Sequence, residues 1–459
     1  MLFNDYIFFL IFLPIVCASY FILGREFWKT SVLVGGSIAF YMYWNPWNIS
    51  LILGSLAFNF FLGKYISRKK RAKEILTLGI IGNLLPLAYY KYSTFFFENL
   101  NSLGANFRVS EIILPLAISF FTFQQIAYLV DCYRLKKFES SFLVYSKFVL
   151  FFPQLIAGPI VHHNEMMSQF KKKSLLDINY DNISKGIFIF TIGLFKKNVL
   201  ADQLSIWANQ GYDQAGMLST QEAWATSFAY SFQLYFDFSG YCDMAIGSAL
   251  LFNINLPDNF NSPYKAINIQ DFWRRWHMTL SRWLRDYVYI PLGGNRSGEN
   301  QTFRNIFLTF LIGGIWHGAG WQFIAWGTLH GLGIVFFLIY SKLIPNTPKL
   351  LAVLTTFLFI NTTWVFFRSE NISDAWNLLT NMCQFTPDLP QERKAHLSQR
   401  SLLLFYILFS FLICFLTKNS QELARKFSPN FIWLTFTFIL FFLALTFKPE
   451  TSEFLYFNF

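Results

Sequence analysis

The sequence predicts an all-α fold: a polytopic transmembrane helical bundle of about 11–13 membrane segments, with re-entrant or interfacial helices around a central cavity. Three observations predict it. Hydrophobic residues make up 54% of the 459 residues and charged residues only 14%, too little charge to cover a soluble protein of this size. Apolar runs long enough to cross a bilayer recur from end to end. Loops rich in Lys and Arg alternate with loops that lack them, as the positive-inside bias requires. Residues 1–459 read as one multi-spanning domain.

Tyr6 to Leu23 has no Lys or Arg before Arg25, so it lacks the basic region of a signal peptide and reads as the first membrane helix. Arg25 and Lys29 follow it, and the next apolar stretch ends at the Trp44–Trp47 turn. Leu51 to Ile66 ends in a cluster of Arg68, Lys69, Lys70, Arg71 and Lys73. Ile75 to Tyr90 leads to a loop with few basic residues, and Glu111 to Val130 ends at Arg134, Lys136 and Lys137. This alternation puts the N-terminus outside and the three basic clusters in the cytoplasm.

Phe142 to Ile160 is apolar but interrupted by Pro153, Gly158 and Pro159. Irregular backbone at membrane depth must be wrapped by protein or line a cavity, so this segment is a re-entrant candidate. His162 and His163 follow; with no Cys or carboxylate to complete a ligand set, they read as an exposed polar pair rather than a metal site. Ile183 to Leu200 is a further span. Ala223 to Phe238 runs into FDFSGYCDMAIG, where Asp237 and Asp243 interrupt apolar sequence. Such carboxylates pair with cations or line cavities, and the arginines downstream are possible partners.

Asn253 to Pro263 is polar and loop-like. Phe323–Tyr340, Leu350–Phe367, Leu402–Thr417 and Phe431–Phe447 supply four more spans, with His330 reading as packing inside the first. The basic loop Lys418–Asn430 belongs inside, which places the C-terminus outside. Cys17, Cys132, Cys242, Cys383 and Cys414 show neither zinc spacing nor a disulfide framework. The net charge of +11 suits basic cytoplasmic loops, and no nucleic-acid signature accompanies it. The remaining contacts are with membrane lipids.

The densest stretch is Ile269 to Trp321, which holds two of the six histidines, His277 and His317, among tryptophans, arginines and glycines. Taken as one helix, Asp271 to Tyr287 gathers Trp273, Trp276, Leu280, Trp283, Leu284 and Tyr287 on one side. Arg274, Arg275, Arg282 and Arg285 gather on the other, with His277 at the seam. Four arginines at mid-bilayer would cost about 10–14 kcal/mol, so this helix belongs at the interface or beside a wet cavity. His317 is surrounded by Gly313, Gly314, Gly318 and Gly320, which leave room for close backbone or ligand approach. Its two readings are a hydrogen-bonded core histidine and a functional one.

Five blocks resemble the membrane-bound O-acyltransferase (MBOAT) family in its bacterial polysaccharide branch, whose members acylate alginate, peptidoglycan or teichoic acid. They are FPQLIAGPI (Phe152–Ile160), YFDFSGYCDMAIG (Tyr235–Gly247), NFNSPY (Asn259–Tyr264), FWRRWHMTLSRWLRDYVYIPLGGNR (Phe272–Arg296) and WHGAGW (Trp316–Trp321). Their order matches the family, and the alginate-acetylase-like members look most alike. The resemblance implies a catalytic role for His317 and a second family histidine in His277. His277 could orient His317, polarise the carbonyl or bind the donor. The donor implied is acetyl-coenzyme A or a similar acyl thioester, with no metal. Arg274, Arg275, Arg282 and Arg285 are candidates for its phosphates, against lipid phosphates or ion pairs with Asp237 and Asp243. Trp276, Trp316, Asp237 and Asp243 are candidates to line the cavity.

The family implies the bacterial cytoplasmic (inner) membrane and a polysaccharide acceptor at or beyond its outer face. The chain carries no GDS-type serine block, and since related systems hand the acyl group to an exported protein, the resemblance implies an exported SGNH-like acyltransferase partner. The last six residues, FLYFNF, resemble an aromatic terminus found in this branch, in which Tyr456 would relay the acyl group; the alternative is an interfacial aromatic anchor. Two other function classes stay open from sequence: a transporter or channel with a histidine proton relay, and a scaffold that recruits a separate transferase.

Overall fold

The computed structural model describes residues 1–68, 70–109, 112–156, 158–170, 177–344, 346–384, 399–449 and 454–455, and its regular structure is helical throughout. The N-terminal helices are α1 (Leu13–Ile22), α2 (Glu26–Met42), α3 (Ile49–Arg68), α4 (Ala72–Leu87) and α5 (Ser93–Ser102). They are followed by α6 (Ile118–Leu135), α7 (Phe142–Leu150), α8 (Phe152–Leu155), α9 (His163–Phe170) and α10 (Tyr180–Phe195). The middle of the chain forms α11 (Asp202–Tyr212), α12 (Thr220–Leu250), α13 (Ile269–Trp273) and α14 (Met278–Leu284). The remainder is α15 (Glu299–His317), α16 (Trp321–Leu343), α17 (Lys349–Arg368), α18 (Ile372–Cys383), α19 (Arg400–Leu416), α20 (Ser420–Lys426) and α21 (Phe431–Thr446).

Among the described residues, Pro46–Arg68, α16 and α17 are long and apolar enough to cross a membrane, and the bent pair α19–α20, at 55°, makes a fourth. Ile7–Ile22 and α21 are apolar but shorter. Fewer full-length spans appear among the described residues than the about 11–13 apolar segments, because several apolar helices are shorter than a full crossing. π-helical turns at Ile7–Phe12, Ala88–Tyr92 and Lys196–Ala201 widen three helical runs without ending them.

The chain forms two compact units, Met1–Phe190 with Tyr241–Pro257, and Thr191–Gly240 with Asp258–Phe459. In the first, α3, α4 and α6 pack on one another through small residues and amides. Asn59 Nδ2 donates to Asn83 Oδ1 at 2.9 Å, and Asn83 Nδ2 returns a bond to Asn59 Oδ1 at 2.7 Å. Such a pair satisfies polar groups that lipid cannot. Gly63 admits the Tyr128 ring, which would lie 2.7 Å from any Cβ there.

The Phe142–Ile160 segment is broken as expected. Helix α7 stops at Phe151, α8 lasts one turn, and every described residue from 151 to 160 is buried. A Cβ at Gly158 would sit 2.4 Å from Gln154 Cα, so the break needs glycine. His162 and His163 are half-buried rather than exposed, and the His163 ring packs 5.1 Å from both Tyr128 and Phe148. The aromatic walls of α6 and α7 take up the ring that the sequence placed in water.

In the second unit, glycines again set the closest crossings. A Cβ at Gly240 would lie 2.8 Å from the Gly193 carbonyl oxygen, so the end of α10 meets α12 backbone to backbone. Helices α15 and α16 form an antiparallel hairpin in which a Cβ at Gly314 would meet Gly327 Cα at 2.9 Å. One at Gly327 would meet the Phe310 carbonyl oxygen at 2.6 Å. The obstacles are backbone atoms, which cannot rotate away.

Gly327→Val should therefore force α15 and α16 apart. Overpacking of this kind costs about 1–3 kcal/mol or more. A lower melting temperature and a smaller monodisperse peak on size exclusion in detergent are expected, and a wild-type profile would contradict the crossing.

Candidate active site

The hairpin turn between α15 and α16 places His317. Helix α15 ends on it, and Gly318 continues in extended conformation. A Cβ at Gly318 would penetrate the Phe323 ring, 2.1 Å from its nearest carbon, so this glycine is required to bring that ring against the turn. Glycine here therefore serves close packing, at Gly314 and at Gly318, rather than an open approach path. His317 is 3% exposed. Its ring is walled by Trp316 at 4.9 Å, Trp326 at 5.0 Å and Phe367 at 5.1 Å.

Trp326 and His330 follow on one face of α16, and together they tie the turn to the FWRRWH block. Trp273 Nε1 donates to His330 Nδ1 at 3.1 Å, which leaves the proton of a neutral His330 on Nε2. Trp326 packs on His330 at 4.6 Å and on Trp273 at 5.8 Å. It also stacks on Trp364 at 5.9 Å, and Trp364 meets Trp276 at 5.0 Å. His330 is thus a buried fastener of the central stretch.

That stretch is not one helix. Helix α13 ends at Trp273, and α14 begins after His277, whose backbone is left-handed at φ 44°. An L-residue pays about 1–2 kcal/mol for this conformation. Two apolar faces, one per half, therefore replace the continuous stripe. Trp273, Trp276, Leu280, Trp283 and Leu284 are all buried, whereas Tyr287 is half-buried.

The NFNSPY block fills the break. Met278 N donates to Asn259 O at 3.0 Å and Asn261 N to Arg275 O at 2.9 Å. Asn259 Oδ1 accepts from Thr279 N at 3.2 Å and Thr279 Oγ1 at 2.9 Å, and lies 3.2 Å from His277 Nδ1. An oxygen that accepts from a backbone N–H faces a donor at Nδ1, so His277 carries its proton there and leaves Nε2 as the acceptor. His277 is wholly buried, with the Phe238 ring edge-on at 4.8 Å.

The arginines divide otherwise than the wheel implied. Arg274 and Arg285 are exposed, and Arg275 and Arg282 are half-buried. Arg275 Nε holds Asp271 at 2.9 Å and Arg285 Nε holds Asp286 at 2.8 Å. Asp237 pairs with Lys197 Nζ at 2.7 Å, not with the arginine-bearing segment. The same Nζ lies 2.6 Å from Asp202. Asp237, Asp243, Trp276 and Trp316 are all buried. Asp243 belongs to the first unit and Asp237 to the second. A cavity of about 640 Å³ between α16 and α17 is lined by Phe336, Tyr340, Lys349 and Phe359 among others, and none of the candidate residues lines it. Tyr456 lies outside the described residues.

Sequence reasoning missed Asn259, Trp326, Trp364 and Lys197. The pair Lys196–Lys197 inside an apolar run was the signal available for the last of these. Among the described residues no group of three or more His, Cys, Asp or Glu is placed to hold a metal.

Residues 136–373 match the model of the family described as MBOAT, membrane-bound O-acyltransferase. The chain is 45% identical to the peptidoglycan O-acetyltransferase of Helicobacter pylori, over all of this chain and 98% of that protein. It is 37% identical to the probable alginate O-acetylase of Pseudomonas aeruginosa, over 94% of this chain and 85% of that protein. The peptidoglycan enzyme is therefore more alike than the alginate enzymes, the reverse of what the sequence blocks suggested. The teichoic acid D-alanyltransferase of Bacillus subtilis is 28% identical over 68% of this chain and 80% of that protein. With His317, His277 and the blocks that hold them inside the matched segment, the chain belongs to the membrane-bound O-acyltransferase family.

Proposed function

We propose that this O-acyltransferase carries out the membrane step of cell-envelope polysaccharide O-acetylation. It takes an acetyl group from acetyl-coenzyme A on the cytoplasmic side for delivery to peptidoglycan outside. The acceptor class follows the relative that shares 45% identity along the whole chain. Family membership sets aside the transporter and scaffold readings. The bacterial cytoplasmic membrane is the location that the bacterial relatives suggest, and the basic loops favour both termini on its outer face.

The observation that carries the reading is the enclosure of His317. A histidine walled by Trp316, Trp326 and Phe367 sits in a dry setting, where a neutral imidazole serves as general base. The acceptor hydroxyl oxygen bonds to the thioester carbonyl carbon as the C–S bond breaks. The hydroxyl proton passes to the imidazole and then to the departing thiolate, so the step balances without a metal or redox partner. Base catalysis supplies roughly 10²–10⁴-fold; positioning of the two substrates must supply much of the rest. His277, with Nδ1 directed to Asn259, offers Nε2 as an acceptor for orienting His317 or binding the donor. Arg274, Arg275, Arg282 and Arg285 are the proposed contacts for coenzyme A phosphates.

The first acceptor in this reading is the phenol of Tyr456. A phenol, with pKa near 10, is easier to deprotonate than a sugar hydroxyl and gives a more reactive ester, which suits a relay. Support comes from the two residues before it. Phe454 is buried and packs on Phe238, the ring that also meets His277. An exported SGNH-like partner would then take the acetyl group to the glycan.

His317→Ala should leave a folded, membrane-inserted protein with acetyl transfer lowered at least ~100-fold. Mass spectrometry of muropeptides from cells with and without the variant, at equal protein level, reads the outcome, and near-normal acetylation would refute the role. Tyr456→Phe keeps the ring and removes the nucleophile, so transfer should be abolished at wild-type expression. An active Tyr456→Phe protein would return the tail to an anchor. In proteoliposomes loaded with acetyl-coenzyme A, this protein alone should not acetylate the final glycan; full transfer without the partner would contradict the need for one.

A further inference from the structure

The π-helical turn Lys196–Ala201 turns several side chains into the protein, and each holds a different part of the chain. Lys197 bridges Asp202 at 2.6 Å and Asp237 at 2.7 Å, with all three side chains buried. Asn198 Nδ2 donates to the Ala444 carbonyl oxygen at 2.9 Å, and Gln203 Nε2, just beyond the turn, donates to that of Phe447 at 3.2 Å. These bonds secure the end of α21. The close crossing of Gly193 and Gly240 makes the bridge possible, because it brings the π-helical turn that carries Lys197 against α12, which carries Asp237.

The cluster holds two carboxylates and one ammonium, which leaves acceptor capacity on the carboxylates. The C-terminal tail adds a donor from the chain's end: Leu455 N donates to Asp237 Oδ2 at 3.0 Å. The next residue of α12, Phe238, packs on Phe454 at 6.5 Å and on His277 at 4.8 Å. Two consecutive residues of α12 thus bind the tail through its backbone and its aromatic ring, and the ring that meets Phe454 also meets His277. A hydrogen bond to an ionised acceptor is roughly twice as strong as one between neutral groups, and stronger still away from water.

We infer that Lys197 and Asp237 form a latch that docks the C-terminal tail beside His277, and that they act as positioning residues for acyl transfer. Lys197 keeps Asp237 charged and aimed, and Asp237 takes the Leu455 amide. The consequence for transfer rests on the relay through Tyr456, the residue after Leu455; the docking itself does not.

The test uses full-length protein in lipid nanodiscs. Hydrogen–deuterium exchange of the peptide from Pro449 to the C-terminus is read beside acetyl transfer from acetyl-coenzyme A. Asp237→Ala should speed tail exchange at least ~10-fold, leave exchange in α15 and α16 unchanged, and lower kcat with little change in KM for the donor. Asp237→Asn keeps a side-chain acceptor and should restore part of both. Leu455→Pro deletes the amide donor and leaves every buried charge in place, so it tests the latch where Asp237→Ala fails to fold. Tail exchange as slow as wild type in the folded variants would overturn the latch, whatever Tyr456→Phe does. A released tail with undiminished transfer would leave the latch standing and remove the relay.

Discussion

Backbone polar groups that leave a helix within a membrane protein must be bonded by the protein itself, because lipid offers no partner. The site depends on how this chain meets that constraint. The FWRRWH stretch breaks at His277, and the Asn259 segment bonds both sides of the break through its own backbone and one side-chain oxygen. That oxygen also fixes the imidazole. The satisfaction of a broken helix and the orientation of a candidate catalytic ring are thus one set of bonds, contributed by two blocks that are separate in sequence.

Glycine supplies the complementary half. Where Gly314 faces Gly327, and where Gly193 faces Gly240, helices approach until backbone meets backbone. Large aromatic rings then fill the space left between the helices. Trp326, Trp364, Trp276 and Phe367 form a continuous wall from His317 to the α13 segment. A wall of this kind excludes water and has little freedom to reorganise, the condition under which fixed dipoles and a single base are most effective.

Much of this was legible in the sequence. Composition and run length gave the all-helical membrane class, and the buried set Trp273, Trp276, Leu280, Trp283 and Leu284 followed from apolar spacing alone. The break between them did not, because a left-handed histidine leaves no mark in periodicity. Its partner Asn259 opens the NFNSPY block, whose resemblance marks it out but whose polar, loop-like pattern does not say what it bonds. The partner of Asp237 was sought among nearby arginines, since charge pairing in sequence favours neighbours. Lys197 is brought to it by a glycine crossing, and Leu455 lies 218 residues away. Pairings made by tertiary approach carry no local pattern, and the sequence offered only two lysines in an apolar run as a hint.

The left-handed backbone at His277 bears on how any substitution there is to be interpreted. Most side chains accept that conformation poorly, whereas glycine takes it freely and asparagine takes it more readily than most. An alanine at this position removes the imidazole and also strains the hinge between α13 and α14, so a defect would mix lost chemistry with a displaced Trp276 and Asn259. Glycine or asparagine at 277 separates the two, because each leaves the hinge at ease and takes away only the ring. The matched control for this histidine is therefore set by its φ angle rather than by its size.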